Sequence, residues 1–114
     1  MNKAIFIAGP MQGYRNFNFA AFDKAAADLT ASGWLVFSPA DRDRERYGDG
    51  VWDSATGNPK DVPQFNLREA LGADTAWLCA KATAIYMLRG WELSKGAQAE
   101  WALARALGLD IFYQ

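Results

Sequence analysis

Apolar positions along this chain follow two rhythms, and their alternation predicts a layered fold. Ala4-Ile5-Phe6-Ile7-Ala8 is an unbroken apolar run closed by Gly9-Pro10, the pattern of a strand buried on both faces. From Phe19 to about Ser32, apolar residues return at Phe19, Phe22, Ala26 and Leu29, a helical spacing closed by Gly33. Trp34-Leu35-Val36-Phe37 reads as a second buried strand, stopped by Ser38-Pro39. Ala40 to Pro63 is polar, rich in Gly, Asp and Arg and without a period, so it reads as a long loop, a lid or substrate-facing segment. A helix is expected from about Gln64 to Lys81, with Leu67, Leu71, Asp74, Thr75 and Leu78 along one side and Gly72 as a weak point. Thr83 to Leu88 is the third strand. Lys95 to Leu107 is the next helix, with Ala97, Trp101, Ala104 and Leu107 inward and Gly108 as its cap. Asp110-Ile111-Phe112-Tyr113 is the last strand.

The order β-α-β-loop-α-β-α-β implies an α/β domain: a three-layer, doubly wound parallel sheet of four or five strands with helices on both faces. Ligands of such sheets bind outside the carboxyl ends of the strands, near the switch in strand order. That rule gathers Gly9 to Asn18, Ser38 to Arg46 and Arg89 to Gly96 at one edge. The richest of these runs on from Arg89-Gly90-Trp91-Glu92-Leu93-Ser94-Lys95-Gly96 to Glu100. Its Gly/Ser turn and helix start favour an anion, with Glu100 about one turn inside the helix.

Composition narrows the chemistry. A length of 114 residues, 51% of them hydrophobic, suits one domain spanning residues 1–114. The net charge of −1 gives no broad basic face, which disfavours a nucleic-acid polymer as partner. The one cysteine, in Trp77-Leu78-Cys79-Ala80, rules out an intrachain disulfide or a cysteine metal site and is expected to be a buried thiol. Met1-Asn2-Lys3 leads into an apolar run too short for a signal peptide or a membrane span, so a cytoplasmic protein is expected. There is no histidine, which removes Ser-His-Asp and Cys-His catalysis and the usual zinc sites. Gly9-Pro10-Met11-Gln12-Gly13 lacks both the dinucleotide fingerprint and the phosphate-loop lysine, so neither NAD nor ATP is expected.

Carboxylates then carry the chemistry. The candidate polar groups are Asp74, Glu92, Ser94 and Glu100, with Arg15, Arg42, Arg44 and Arg46 as anion partners. Two carboxylates from different helices allow one to attack an anomeric carbon while the other manages the leaving group's proton, a histidine-free way to break a glycosidic bond. Each residue also has a structural reading. Asp74 and Glu100 suit solvated helix faces, Arg42-Asp43-Arg44-Glu45-Arg46 suits a mixed-sign surface loop, and Trp77 and Trp101 suit the core. Trp91 suits stacking on a ligand or a subunit interface.

Four segments carry a resemblance: Ile5 to Gly13, Asn16-Phe17-Asn18-Phe19-Ala20-Ala21-Phe22, Val36-Phe37-Ser38-Pro39-Ala40, and Gly90 to Glu100. Together they resemble the nucleoside 2-deoxyribosyltransferase superfamily, within it a small phage and bacterial branch of unknown function related to the 2′-deoxynucleoside 5′-phosphate N-hydrolases. The resemblance implies a flavodoxin-like or Rossmann-like fold in which Glu100, by its place in Ser-x-Gly-x-x-x-Glu, is the nucleophile. It implies that Ser94 helps hold a 5′-phosphate. Asp74, which opens Asp74-Thr75-Ala76-Trp77-Leu78, becomes the proton-handling partner, and Gly9 begins a substrate-cradling loop. Gly9, Pro10, Met11, Asn18, Ser38, Trp91, Ser94 and Gly96 are the expected substrate contacts. Two departures stand out: Thr83 replaces an acidic residue of many relatives, and Glu92 stands near where transferases use an aspartate.

The expected function is cleavage of the N-glycosidic bond of a (deoxy)nucleoside 5′-monophosphate to release free base. The alternatives are base exchange by a deoxyribosyltransferase and a non-catalytic nucleotide-binding or sensing module. No metal or organic cofactor is required. The expected partner is a small nucleoside or nucleotide, with no membrane, in a homodimer or higher homo-oligomer. Five Trp are compatible with such an interface.

Overall fold

Four parallel strands, β1 (Ala4–Ala8), β2 (Leu35–Phe37), β3 (Ala84–Met87) and β4 (Asp110–Tyr113), form one sheet in the order β2-β1-β3-β4. They belong to a computed structural model that describes residues 3–114. Ile5 lies beside Val36 on one flank and Ala84 on the other, and Ala84 beside Asp110. Thr83 fastens the start of β3 to β1: its hydroxyl donates to the Ala4 carbonyl (3.1 Å) and accepts from the Ala4 N–H (3.2 Å). The residue that departs from the pattern of the superfamily resembled thus has a backbone-pairing job.

Helix α1 (Phe19–Ala31) covers one face, and α3 (Leu67–Lys81) and α4 (Lys95–Ala106) the other. Successive β1 side chains point to opposite faces, as the pleat requires. Ile7 joins Phe19, Phe22 and Ala25 of α1, whereas Phe6 and Ala8 join Leu78, Ala97 and Ala104. Phe6 stacks on Phe37 at 5.1 Å between centroids, and Phe37 meets Trp77 at 4.8 Å. Each fully buried Phe, Ile or Leu contributes about 1.5–3 kcal/mol, so this double-sided burial of β1 anchors the domain. The result is the expected α/β arrangement, Rossmann-like or flavodoxin-like, with four strands.

The chain leaves β1 towards β2 and leaves β3 in the opposite direction, towards β4. A crevice therefore opens between the carboxyl ends of β1 and β3. Gly9 makes the floor of this crevice possible, since a Cβ there would lie 2.7 Å from Leu88 Cβ.

The long expected loop departs from its reading. Its first part is helix α2 (Pro39–Tyr47), which has hardly any apolar stripe and is built from its ends and its charges. Ser38 is extended at the N-cap, Pro39 opens the first turn, Asp41 lies in that turn, and Arg44 and Arg46 lie in the last. Arg42 pairs with Glu45 (3.1 Å) and Arg44 with Asp41 (3.2 Å), while Arg44 also forks onto Asp23 of α1 (2.9 and 2.7 Å). Beyond α2 the chain is irregular but anchored: Trp52 and Val62 are buried, and Trp52 packs on Phe19 at 5.0 Å.

Smaller corrections follow from helix geometry. α3 starts at Leu67, where Asn66 accepts from the Glu69 N–H (3.0 Å) as the cap, so Gln64 lies outside it. Leu107, expected inward, is exposed at the end of α4, Trp101, also expected inward, is half-buried, and Leu67 is exposed in the first turn of α3. Cys79 is exposed rather than buried, because it stands about 100° around the helix from Leu78, which takes the inward position. Met1 and Asn2, where the leader argument began, lie outside the described residues. Among the described residues no helix is long and apolar enough to cross a membrane.

Candidate functional site

A cavity of about 1020 Å³ occupies the crevice, roomy enough for a small-molecule ligand. Its walls are the loop Gly9–Tyr14, parts of the segment 52–65, the first half of α3, and the start of α4 with the residues before it. Met11, Phe17, Phe22, Val62 and Phe65 make much of this surface apolar.

A clasp of hydrogen bonds joins the two loops. The Gly13 N–H donates to the Gly57 carbonyl (3.0 Å) and the Asn16 N–H to the Ser54 carbonyl (2.7 Å). The Asn16 side chain accepts from the Ser54 N–H (2.8 Å). The buried Ser54 hydroxyl donates to Asp61 (2.5 Å) and accepts from the Gly57 N–H (3.0 Å). The turn so held is unusual: Asn16, Phe17 and Asn18 are all left-handed, with φ of 50°, 57° and 63°. Gly57 has φ +67° and passes so close to Tyr14 that an added Cβ would sit 2.2 Å from its carbonyl oxygen.

Three carboxylates border the cavity, one from each of three helices: Asp43 of α2, Asp74 of α3 and Glu100 of α4. They are 3%, 6% and 6% exposed, so each is withdrawn from bulk water. Helical spacing puts them there. Asp74 is four residues from both Ala70 and Leu78, Glu100 three after Ala97 and four before Ala104, and Asp43 three after Ala40, all on buried stripes. Oδ1 of Asp43 and Oδ1 of Asp74 are buried without a hydrogen-bond partner.

Burial sets the protonation of this group, with mutual repulsion adding to it. Asp43 is pushed up to about 7 by burial and then by Asp74, against the pull of Arg46. Asp74 is raised to about 6 by burial, held down by Arg46 and then Arg42. Glu100 is driven well above the usual carboxylate range by burial, then by Asp74 and Asp43. The three titrate as a coupled set that retains protons at neutral pH. Groups that differ in proton affinity thus border one cavity, an arrangement compatible with acid-base chemistry.

Of the residues singled out from the sequence, Gly9, Pro10, Met11, Ser94, Gly96, Asp74 and Glu100 border the cavity together. Ser94 caps α4, its hydroxyl accepting from the Ala97 N–H (3.2 Å), and this helix start opens on the cavity beside Lys95. Asn18 supports the first loop from behind, donating through Nδ2 to the Pro10 carbonyl (3.0 Å). Ser38 is buried at the start of α2, its hydroxyl unpartnered, and does not border the cavity. Trp91 is off the cavity wall and stacks on Trp101 (5.1 Å) and Tyr113 (6.1 Å). Glu92 is exposed and also off the wall, and neither Arg15 nor the arginines of α2 border the cavity. Those of α2 engage surface carboxylates, while Arg42 and Arg46 also act on Asp74 through space.

Asp43 is the residue that sequence reasoning overlooked as a site group. Its signal lay in Ser38-Pro39 as a helix start and in the Ala40, Asp43 spacing that follows. Among the described residues no group of three or more His, Cys, Asp or Glu is arranged to hold a metal ion.

A family model described as a domain of unknown function (DUF4406) matches residues 3–113. No curated protein matches the chain. No solved structure matches it. The nucleoside deoxyribosyltransferase superfamily is named by none of these comparisons, although the fold is compatible with it.

Proposed function

This chain belongs to the DUF4406 family, a domain of unknown function, and we propose that it cleaves the N-glycosidic bond of a (deoxy)nucleoside 5′-monophosphate, releasing the free base. One observation carries the reading: Asp74 and Glu100, on different helices, border the same largely apolar cavity as the start of α4. The apolar wall suits a base and sugar. The N-terminal amides of α4, with Ser94, Lys95 and Gly96, suit a phosphate. In this scheme a Glu100 oxygen attacks C1′ as the C1′–N bond breaks, giving a glycosyl ester, and the base departs with a proton. Water then attacks C1′ and restores the Glu100 carboxyl. Asp74, the less strongly raised of its two neighbours and flanked electrostatically by Arg46 and Arg42, serves as the anion beside the oxocarbenium-like sugar.

Burial favours the protonated form of Glu100. Attack therefore requires that its proton leave first, which the developing positive charge of the sugar favours. That same feature supports a second reading, a module that binds nucleotide with no turnover.

Incubation with a panel of deoxynucleoside monophosphates and the matching nucleosides, with chromatography of the released bases, tests the proposal. Release is expected, and Glu100→Gln is expected to lower kcat by more than about 10³-fold with binding kept within a few-fold. Binding without release by the wild type would favour the sensing module. A second free base in the mixture reports transfer through a new nucleoside. The same reading expects a cytoplasmic homodimer or larger homo-oligomer, and sizing in solution checks the assembly.

A further inference from the structure

We propose that Asp43 is the proton carrier of this site, taking the proton of Glu100 and delivering it to the departing base; the proposal rests on the glycosyl-cleavage reading above. Cleavage through Glu100 has two proton problems at once, since the nucleophile must lose a proton and the leaving base must gain one. One further buried carboxyl on the same cavity solves both. Asp43 borders the cavity at 3% exposure, and its Oδ1 is buried with no protein partner, so nothing in the fold claims its proton or its lone pair.

The charges acting on Asp43 are Asp74 from α3 and Arg46 from its own α2, and Asp43 in turn acts on Glu100 of α4. Asp74 is less suited to the role, because Arg46 and Arg42 both favour its ionised form. Asp43 feels a single guanidinium and titrates near 7, so both of its forms are populated at neutral pH, as a shuttle requires.

The cycle balances. Glu100 passes its proton to the Asp43 carboxylate. A Glu100 oxygen then forms the bond to C1′ while the C1′–N pair leaves on the base, which takes the proton from Asp43. In the second half Asp43 accepts a proton from the attacking water, the C1′–O ester bond to Glu100 breaks, and the proton returns to Glu100. The net change is hydrolysis alone, with no oxidant, reductant or metal consumed.

The test is base release by wild type, Asp43→Asn and Asp43→Glu on deoxynucleotides whose bases differ in basicity at constant size. A set of 5-substituted pyrimidines or 6-substituted purines serves, whichever the wild type accepts. Asp43→Asn is expected to slow release of ordinary bases by about 10²–10⁴-fold. The loss should shrink for weakly basic leaving groups such as 5-nitrouracil, giving a steep leaving-group dependence where the wild type is shallow. Its alkaline rate limb, set in the wild type by loss of the shared proton, should move. Asp43→Glu, which keeps the acid, should retain the shallow dependence and carries the test if the Asn variant fails to fold. An equal loss for every leaving group, an unchanged rate, or a steep dependence in Asp43→Glu would overturn the shuttle and leave glycosyl cleavage standing. No release from any nucleotide by the wild type would overturn both.

Discussion

Replacing Asp43 by Asn should make this protein more stable at pH 8 and leave it nearly unchanged at pH 4. The side chain is 3% exposed, and the fold raises its carboxyl from 3.8 to about 7, so the folded state binds more protons than the unfolded state between those values. Stability due to this group therefore falls as pH rises through that window. Below it the carboxyl is neutral in both states, and above it the fold bears the full cost of the charge. A rise from 3.8 to about 7 corresponds to about 4 kcal/mol. Asp74 and Glu100 respond to the same ionisation, so removing one member recovers only part of that, about 1–3 kcal/mol. At about 4 °C per kcal/mol, Tm should rise by about 4–12 °C at pH 8. Urea titrations and thermal melts of both proteins at pH 4, 6 and 8 measure the difference. Equal destabilisation at every pH, or a wild type that grows steadily more stable from pH 5 to pH 8, would refute the account of the buried acids. Under the proposed mechanism, the variant that gains stability is also the one expected to lose turnover, the trade-off known for strained functional sites.

Two further outcomes test the walls of the cavity. Ser94→Ala removes the cap on α4 and should cost about 1 kcal/mol in denaturant titration; if the α4 start holds the 5′-phosphate, its KM for nucleotides should rise while that for nucleosides stays level. Gly57→Ala meets the Tyr14 carbonyl at 2.2 Å in a left-handed conformation; it should cost more than about 2 kcal/mol, or free the segment 48–66 to proteases in limited digestion.

The strands and three of the four helices were legible because each carries its burial in its spacing. Ala4 to Ala8 is apolar throughout because both faces are covered, and Phe19, Phe22 and Leu29 mark the one stripe of α1 that meets the sheet. α2 has hardly any such stripe, since its helicity comes from Pro39, Asp41 and paired charges, and a search for apolar periods passes over it. With α2 missed, Asp43 read as one charge in a solvated loop. Asp74 and Glu100 were legible through motif position, but their shared environment depends on three helices meeting over a sheet edge, which no local pattern encodes. Trp91 illustrates the converse: an aromatic in a candidate loop turned towards Trp101 and Tyr113, partners set by the end of the chain.

The run of three left-handed residues at Asn16, Phe17 and Asn18 has a bearing on how the molecule assembles. Such a conformation is unfavourable for an isolated segment, and here it is held by Ser54, thirty-eight positions from Asn16. The sheet can therefore form before this corner does, but the corner cannot precede the docking of its distant partner. This corner is then expected to form late in folding, and in partial unfolding to be among the first parts lost while the strands remain paired.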